Sequence, residues 1–538
     1  MQEIHVEKTA SRGIAVAAIY KYLQPDLSPN PAEICENQIL EEQKRFEDAR
    51  EEVIRELEVL AAENEIFAAH LEIAGDFTLH EGVEAKISAE RKNAELALQE
   101  MIDEFAAIFE AMDDAYMKER GADIKDIGKR LMAKLKGVTL PDLGNLKEET
   151  IVAAKDLYPS DTVKLSPELV KGILTEEGGV TSHVSIIAKS MNIPTLVGVK
   201  GILSKLEDGM MVCMDAEKGV IVTDPDQETL ERYQAKKEAY DQERVRLKKL
   251  RNQPAVTKEG KRIFLCANVG NVEEIKKALE MKIDGVGLFR SELLYMENTH
   301  FPTEEEQYQV YKEAATLCPE ELTIRTLDIG GDKALPYFEF EKEENPFLGW
   351  RAIRISLDKK EMFREQLRAI LRASAFGHVR IMFPMIISLE ELREAKTLVE
   401  ECKKELAAQD IAYDEAIELG MMMETPASVL LAEEFAKEAD FFSIGTNDLT
   451  QYLLAVDRGN KKIADRYDYF HPAVLKAIAH IIRAGHAQGI KVGMCGEMAG
   501  DVKATEKLVE MGLDEFSMSA GSIDYVRAAI AGALSSVL

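Results

Sequence analysis

The 538-residue chain is 46% apolar and carries 67 basic against 97 acidic residues. The resulting net charge of −30 disfavours nucleic acid or an anionic membrane as a general partner. The length predicts about three to four domains; no stretch approaches the ~20 apolar residues that span a bilayer, and the opening Met1-Gln2-Glu3-Ile4-His5-Val6-Glu7-Lys8 lacks the order of a signal peptide. Six scattered cysteines (Cys35, Cys213, Cys266, Cys318, Cys402, Cys495) form no CxxC pair and fit free thiols, so the sequence reads as a soluble cytoplasmic protein.

In chain order, residues 13–20 (Gly13 to Tyr20) form a short apolar strand region. From Ala32 to Leu140 there is no proline, and apolar residues recur at three- and four-residue steps, as at Val53, Leu57 and Leu60. That spacing predicts a helical bundle or a pair of long hairpins, with Gly75, Gly82 and Gly121 as helix ends. It fits a structural bundle as well as a partner-docking one.

After Pro141 the runs Ile151–Ala154, Gly172–Leu174, Thr195–Gly198 and Met211–Asp215 predict short buried strands of a compact α/β domain. The first twenty residues belong to the same domain, which makes the helical segment an insertion between strands. Within this domain lies Gly178-Gly179-Val180-Thr181-Ser182-His183-Val184-Ser185-Ile186-Ile187-Ala188-Lys189. The glycines bend the chain, Thr181 or Ser182 caps a helix, and Ile186, Ile187 and Met191 follow at helical spacing. His183 then falls in the first turn, beside free amides that favour an anion such as a phosphoryl group. A capping loop with an incidental solvated histidine is the bland alternative. Residues from Asp226 to Arg251 are densely charged with few apolar positions and predict a solvent-exposed linker helix, with a coiled-coil arm as the weaker reading.

Beyond Pro254 eight strand-like runs alternate with helical ones: Ile263–Ala267, Gly285–Phe289, Leu322–Asp328, Val379–Met385, Ile417–Met423, Phe441–Ile444, Lys491–Met494 and Glu515–Ser519. Eight such units predict a (β/α)8 barrel; a doubly wound sheet is the alternative, but no GxGxxG follows the first strand. The polar residues cluster where strands end and loops begin, the catalytic face of such a barrel. These are Arg290, Arg325 with Asp328, Glu424, Asn447 with Asp448 and then Arg458, and Cys495. Glu424 and Asp448 offer the open oxygen coordination that suits Mg2+, and several planar guanidinium forks suit a phosphorylated anion. Cys495 alone reads as a small buried hydrophobe, but in an electropositive pocket it becomes an acid or a nucleophile.

Five stretches together resemble enzyme I of the bacterial phosphoenolpyruvate-dependent sugar phosphotransferase system across essentially the whole chain. They are Gly178-Gly179 with Thr181-Ser182-His183, Gly330-Gly331-Asp332-Lys333, Asn345–Arg351, Asp440–Gln451 and Gly493–Glu497. The resemblance implies that His183 accepts the phosphoryl group of phosphoenolpyruvate, with release of pyruvate, and passes it to a histidine of the carrier protein HPr. It implies that Arg290, Arg325, Arg458 and Asn447, helped by Arg351 and Asp448, hold the substrate. Glu424 and Asp448 would bind Mg2+, and Cys495 would protonate the enolate. The implied domains are 1–21 with 145–225 (α/β, bearing the histidine), 22–144 (helical, docking HPr), 226–252 (linker) and 253–538 (barrel, binding substrate and forming a homodimer). The acidic insertion would match a basic face of HPr.

Val180 and Val184 stand where members of that family often carry Arg and Thr, so contacts to the phosphohistidine are expected to differ. The chain also stops at Leu538, soon after the eighth strand, where many members continue, which predicts a cost in stability or dimerisation. The alternatives are a dikinase or phosphoenolpyruvate synthase, which would need a large ATP-binding domain in place of the helical insertion, and an inactive HPr-binding module. A histidine carried by one domain and charged in another requires a large swivel. Cross-linking the two domains should abolish one half-reaction and spare the other, and survival of both would show that no swivel is needed.

Overall fold

The computed structural model describes the chain from Met1 to Ala533, except residues 7, 31–32, 62–64, 111–114, 180–181, 297, 331–334, 336 and 461. Two compact units are present, Met1–Gln242 and Glu243–Leu538.

The first unit is built on an eight-stranded sheet of β1 (Gln2–His5), β2 (Thr9–Ser11), β3 (Ile14–Tyr22), β4 (Thr150–Ala154), β5 (Val170–Thr175), β6 (Thr195–Leu196), β7 (Met211–Asp215) and β8 (Val220–Thr223). Their order is β1-β8-β7-β3-β4-β5-β6-β2. The central pairs β3–β4 and β4–β5 are parallel, whereas β7 and β8 return antiparallel. The β4 residues are all buried and apolar apart from Thr150, as expected of a strand covered on both faces. β3 and β4 are neighbours in space yet more than 100 residues apart, so the intervening helices are an insertion in the α/β sheet, as the sequence predicted. β1, β2 and β8 were not foreseen; they are short edge or near-edge strands with weak patterning.

The insertion contains α1 (Ile39–Ala61), α2 (Glu65–Ala74), α3 (Phe77–Glu90), α4 (Ala94–Glu110) and α5 (Ala115–Lys136), around a core of its own that includes Phe46, Leu57, Leu98 and Leu131. Gly75 separates α2 from α3, with Asp76 capping α3 through the amides of Thr78 and Leu79. Gly82 and Gly121 lie inside helices, contrary to the expectation that they end them. A Cβ at Gly82 would stand 2.5 Å from the Met101 sulfur, so this glycine serves close approach of two helices.

The short α6 (Pro159–Thr162) lies between β4 and β5, and α7 (His183–Met191) follows β5. The long α8 (Gln227–Leu250) corrects the picture of a solvent-exposed linker. Thr229, Tyr233, Tyr240, Glu243 and Leu247 are buried along one stripe. Tyr233 and Tyr240 pack with Ile14, Cys213 and Val222 of the sheet, and the Lys236 ammonium pairs with buried Asp215. The stripe escaped notice because its members are mostly polar or aromatic, and composition alone reads them as solvated.

The second unit is a closed barrel of eight parallel strands: β9 (Phe264–Val269), β10 (Gly285–Arg290), β11 (Glu321–Arg325), β12 (Val379–Phe383), β13 (Glu418–Met423), β14 (Phe441–Ile444), β15 (Lys491–Met494) and β16 (Glu515–Met518), with β16 closing onto β9. All eight predicted strands are present. Its N-terminal end is plugged by charge rather than hydrocarbon. Arg380 reaches Glu321 at 3.1 Å and Glu515 at 3.2 Å, and Lys491 reaches them at 2.7 and 2.8 Å. Glu515 is held low in pKa although burial opposes it, because Lys491 and Arg380 favour its charged form. Removing one cation from such a pair strands buried carboxylate. Arg380→Met should therefore destabilise the barrel by about 3–5 kcal/mol, read as a lower urea midpoint for the barrel transition.

Candidate active site

The opposite, C-terminal end of the barrel gathers the predicted residues. Arg290 and Arg325 are the last residues of β10 and β11, Glu424 and Cys495 directly follow β13 and β15, and Asn447 and Asp448 lie in the first turn of the helix Thr446–Leu454 after β14. Parallel strands all finish at the same rim, so residues far apart in sequence converge there. Thr425 caps the short helix that begins at Pro426, which turns the chain away immediately after Glu424.

Arg325 pairs with Glu292 and, at 3.1 Å, with Asp328. Asp328 also accepts from Arg351 at 2.9 Å, and Arg351 reaches Asp448 at 3.3 Å. Burial works against the charge of both arginines, yet the surrounding carboxylates raise their pKa values above normal. Gly330 (φ +92°) lets the backbone pass Arg351, since a Cβ there would lie 2.8 Å from the arginine's own Cβ. Arg290 and Arg458 stand at the rim, with side chains 44% and 34% exposed, 4.0 Å from Glu274 and 3.7 Å from Asp448. The Asn447 carbonyl oxygen of the side chain accepts from the Glu497 amide at 2.9 Å, which leaves its NH2 group as a donor.

The buried part of this cluster holds four acids (Glu292, Asp328, Glu424, Asp448) and two arginines (Arg325, Arg351). Two negative charges are thus left over if all are ionised. The imbalance falls on Glu424. Burial, then the Asp448 and Asp328 carboxylates, push its carboxyl well above the usual range. One Glu424 oxygen accepts from the Met385 amide at 2.7 Å, and Asp448 Oδ1 is buried without any hydrogen bond. A carboxylate pair with surplus negative charge and an unsatisfied oxygen fits a divalent cation with oxygen ligands. The plug at the other end of the barrel does not. Cys266, Glu321 and Glu515 lie within 4.8 Å of one another, but Arg380 and Lys491 already occupy the carboxylates.

Cys495 is buried between Leu288, Met382, Met422 and Phe441. Burial pushes its thiol up to about 12, against the weaker pull of Ser443 and Arg325. It is therefore a held proton, not a thiolate nucleophile. Its backbone carbonyl accepts from Asn268 at 2.8 Å, and Asn268 in turn accepts from Ser517 at 2.7 Å.

Ser182 occupies the N-cap of α7 and His183 is its first helical residue, as expected, although the Ser182 hydroxyl bonds Ser185 at 3.0 Å rather than a helix amide. Ser185 is anchored to the Gly179 carbonyl at 2.6 Å. Val184 and Ala188 face the core while Ile186 is half exposed. Val180, Thr181, the side chain of His183 and the stretch Gly331-Asp332-Lys333 lie outside the described residues. Sequence reasoning missed Glu292, which pairs with Arg325, and Tyr452, which meets Arg351. Glu292 stands two residues after a strand-end arginine, a position that could have flagged it; Tyr452 had no such signal.

Three family profiles match the chain: "PEP-utilising enzyme, N-terminal" over 8–120, "PEP-utilising enzyme, mobile domain" over 146–219 and "PEP-utilising enzyme, PEP-binding domain" over 244–534. The phosphoenolpyruvate-protein phosphotransferase of Bacillus sp. (strain S) is 45% identical over 529 residues, 96% of this chain and 91% of that one. That of Bacillus subtilis (strain 168) is 45% identical over 524 residues, 96% and 92% of the two chains. A solution structure of an "Enzyme I (nEIt)" protein is 36% identical, covering 44% of this chain and 100% of that one, with a TM-score of 0.40.

The state of Cys495 is testable with a thiol reagent. Iodoacetamide should modify exposed Cys35 readily and leave Cys495 unmodified from pH 7 to 9, as read by peptide mass spectrometry.

Proposed function

The chain belongs to the family of phosphoenolpyruvate-protein phosphotransferases, and on that premise we propose that His183 takes the phosphoryl group of phosphoenolpyruvate and hands it to a histidine of the carrier protein HPr, the first step of sugar uptake by the phosphotransferase system. The observation that carries this reading is the graded charge at the barrel mouth. Surplus acid lies deep, at Glu424 and Asp448, and exposed guanidinium lies at the rim, at Arg290 and Arg458. A substrate that is itself a polyanion is held by the rim arginines, and Glu424 and Asp448 would hold a divalent cation whose charge offsets the deep acids.

Arg290, Arg325 and Arg458, with the free NH2 group of Asn447, hold the phosphate and carboxylate. Arg351 lies beneath them and fixes Asp448. Glu424 and Asp448 would hold Mg2+, which when bound neutralises charge on the substrate's oxygens. The His183 imidazole attacks in its neutral form, since only an unprotonated ring nitrogen carries the lone pair that forms the P–N bond. A P–N bond forms at the ring and the P–O bond to the enol oxygen breaks, leaving the enolate of pyruvate. Cys495 donates its thiol proton to the methylene carbon, which completes pyruvate, and is reprotonated from water. A thiol held near 12 keeps that proton until the basic enolate appears. Positioning and charge neutralisation do most of the work in such transfers.

The helical insertion docks HPr, and the barrel forms a homodimer through its outer surface, where Leu430 is 80% exposed. No helix among the described residues is long and apolar enough to cross a membrane. Six free cysteines fit a reducing cytoplasm.

With 32P-phosphoenolpyruvate and Mg2+, wild type should gain acid-labile label that moves to added HPr. His183→Ala should gain none. Glu424→Gln and chelation of Mg2+ should each slow labelling by about 100-fold or more while leaving back-transfer from phospho-HPr intact. Label that appears only with ATP would instead indicate a dikinase, and no label an inactive module.

A further inference from the structure

Arg351 is the most buried of the arginines at the barrel mouth, 2% exposed, and its hydrogen bonds can be counted. Its Nη2 serves Asp328 at 2.9 Å and Asp448 at 3.3 Å, its Nη1 points to the Tyr452 hydroxyl at 3.2 Å, and its Nε has no hydrogen-bond partner. Asp448 and Tyr452 are four residues apart on the helix Thr446–Leu454, so they share one face and approach the same guanidinium together. The Tyr452 hydroxyl also donates to the Phe347 carbonyl in the turn Pro346–Leu348, and the Phe347 ring lies 5.7 Å from the Arg351 guanidinium.

The direction of these bonds is settled by chemistry. An arginine can only donate and a carbonyl can only accept. The phenol must therefore accept from Arg351 and spend its one proton on Phe347. Burial, opposed by Arg351, pushes the phenol up to about 12, so that proton is kept at every working pH. One hydroxyl thus ties three things: the turn at 346–348, the buried guanidinium, and the helix that carries Asn447 and Asp448.

We propose that Tyr452 is a positioning residue for phosphoryl transfer, which clasps Arg351 together with Asp448 and so sets the height of the guanidinium beneath the bound phosphoenolpyruvate. This rests on the functional reading above and adds to it a residue that touches neither substrate nor metal. Without the phenol oxygen, a buried Nη1 hydrogen loses its acceptor and the arginine is free to tilt toward Asp328. Its charge then moves away from the substrate anion.

Single-turnover transfer from 32P-phosphoenolpyruvate to His183 tests this. Tyr452→Phe, which keeps the ring, should raise the half-saturating phosphoenolpyruvate concentration about tenfold while the limiting rate changes by less than about threefold. In an Arg351→Ala background the same substitution should have no further effect, because Tyr452 acts only through that arginine. A purely structural role would lower the thermal midpoint and add its cost in both backgrounds. Unchanged half-saturation in Tyr452→Phe, or an equal effect in both backgrounds, overturns the proposal. Should the phenylalanine variant fail to fold, Tyr452→Gln, whose carboxamide can accept from Arg351 and donate to Phe347, is compared with Tyr452→Leu. The glutamine variant should bind phosphoenolpyruvate several-fold more tightly, and equal values count against the clasp. Wild type that takes no label at all would instead remove the functional reading, and this one with it.

Discussion

Asp328 is the carboxylate on which the barrel mouth depends. It accepts from Arg325 and Arg351 at once, and so joins two buried guanidinium groups that would otherwise repel each other. Burying either arginine alone would cost several kcal/mol in desolvation, and only charges of opposite sign at hydrogen-bond distance offset that cost. From this pair the network extends outward to Glu292 on one side and to Asp448 and Arg458 on the other. Glu424 is left with acids nearby and no salt-bridge partner among the described residues, which is why its carboxyl is the one whose charged form is most disfavoured and whose pKa is pushed up.

The two ends of the same barrel solve the burial of charge in opposite ways. At the N-terminal end two cations meet two carboxylates, and Thr323 satisfies the remaining Arg380 donors at 3.0 and 2.7 Å. That end is closed and serves stability. At the C-terminal end the acids outnumber the buried arginines, and unsatisfied polar atoms accumulate, among them Asp448 Oδ1, Thr446 Oγ1 and Arg351 Nε. Buried polar groups are normally paired, so such a concentration marks a surface prepared for something else to complete it. Stability has been given up at the end proposed to carry the chemistry.

The buried thiol belongs to the same logic. Cys495 sits among Leu288, Met382, Met422 and Phe441, an environment that penalises the thiolate. A proton donor must resist losing its proton in the resting state and yield it only to a strong base. Apolar walls achieve the first condition, and in the proposed reaction an enolate would supply the second. Asn268 and Ser517 fix the backbone on which the thiol is carried.

Much of this was legible in the sequence, because periodicity and strand-end position are local properties. Eight apolar runs at regular intervals determined a parallel barrel, and parallel strands end on one rim, so the convergence of Arg290, Arg325, Glu424, Asp448 and Cys495 followed from topology alone. The glycine and serine residues before His183 determined the start of its helix for the same reason. What only the tertiary structure decided are the properties that belong to pairs. Tyr233 and Tyr240 of α8 are buried because the sheet offers Ile14, Cys213 and Val222 to them, and Gly82 lies mid-helix because Met101 presses against it. Which acid goes without a cation, and which hydroxyl clasps Arg351, depends on distances of a few ångströms between residues about a hundred positions apart. Coulomb and hydrogen-bond energies change sharply over that range, and nothing in a linear pattern measures it.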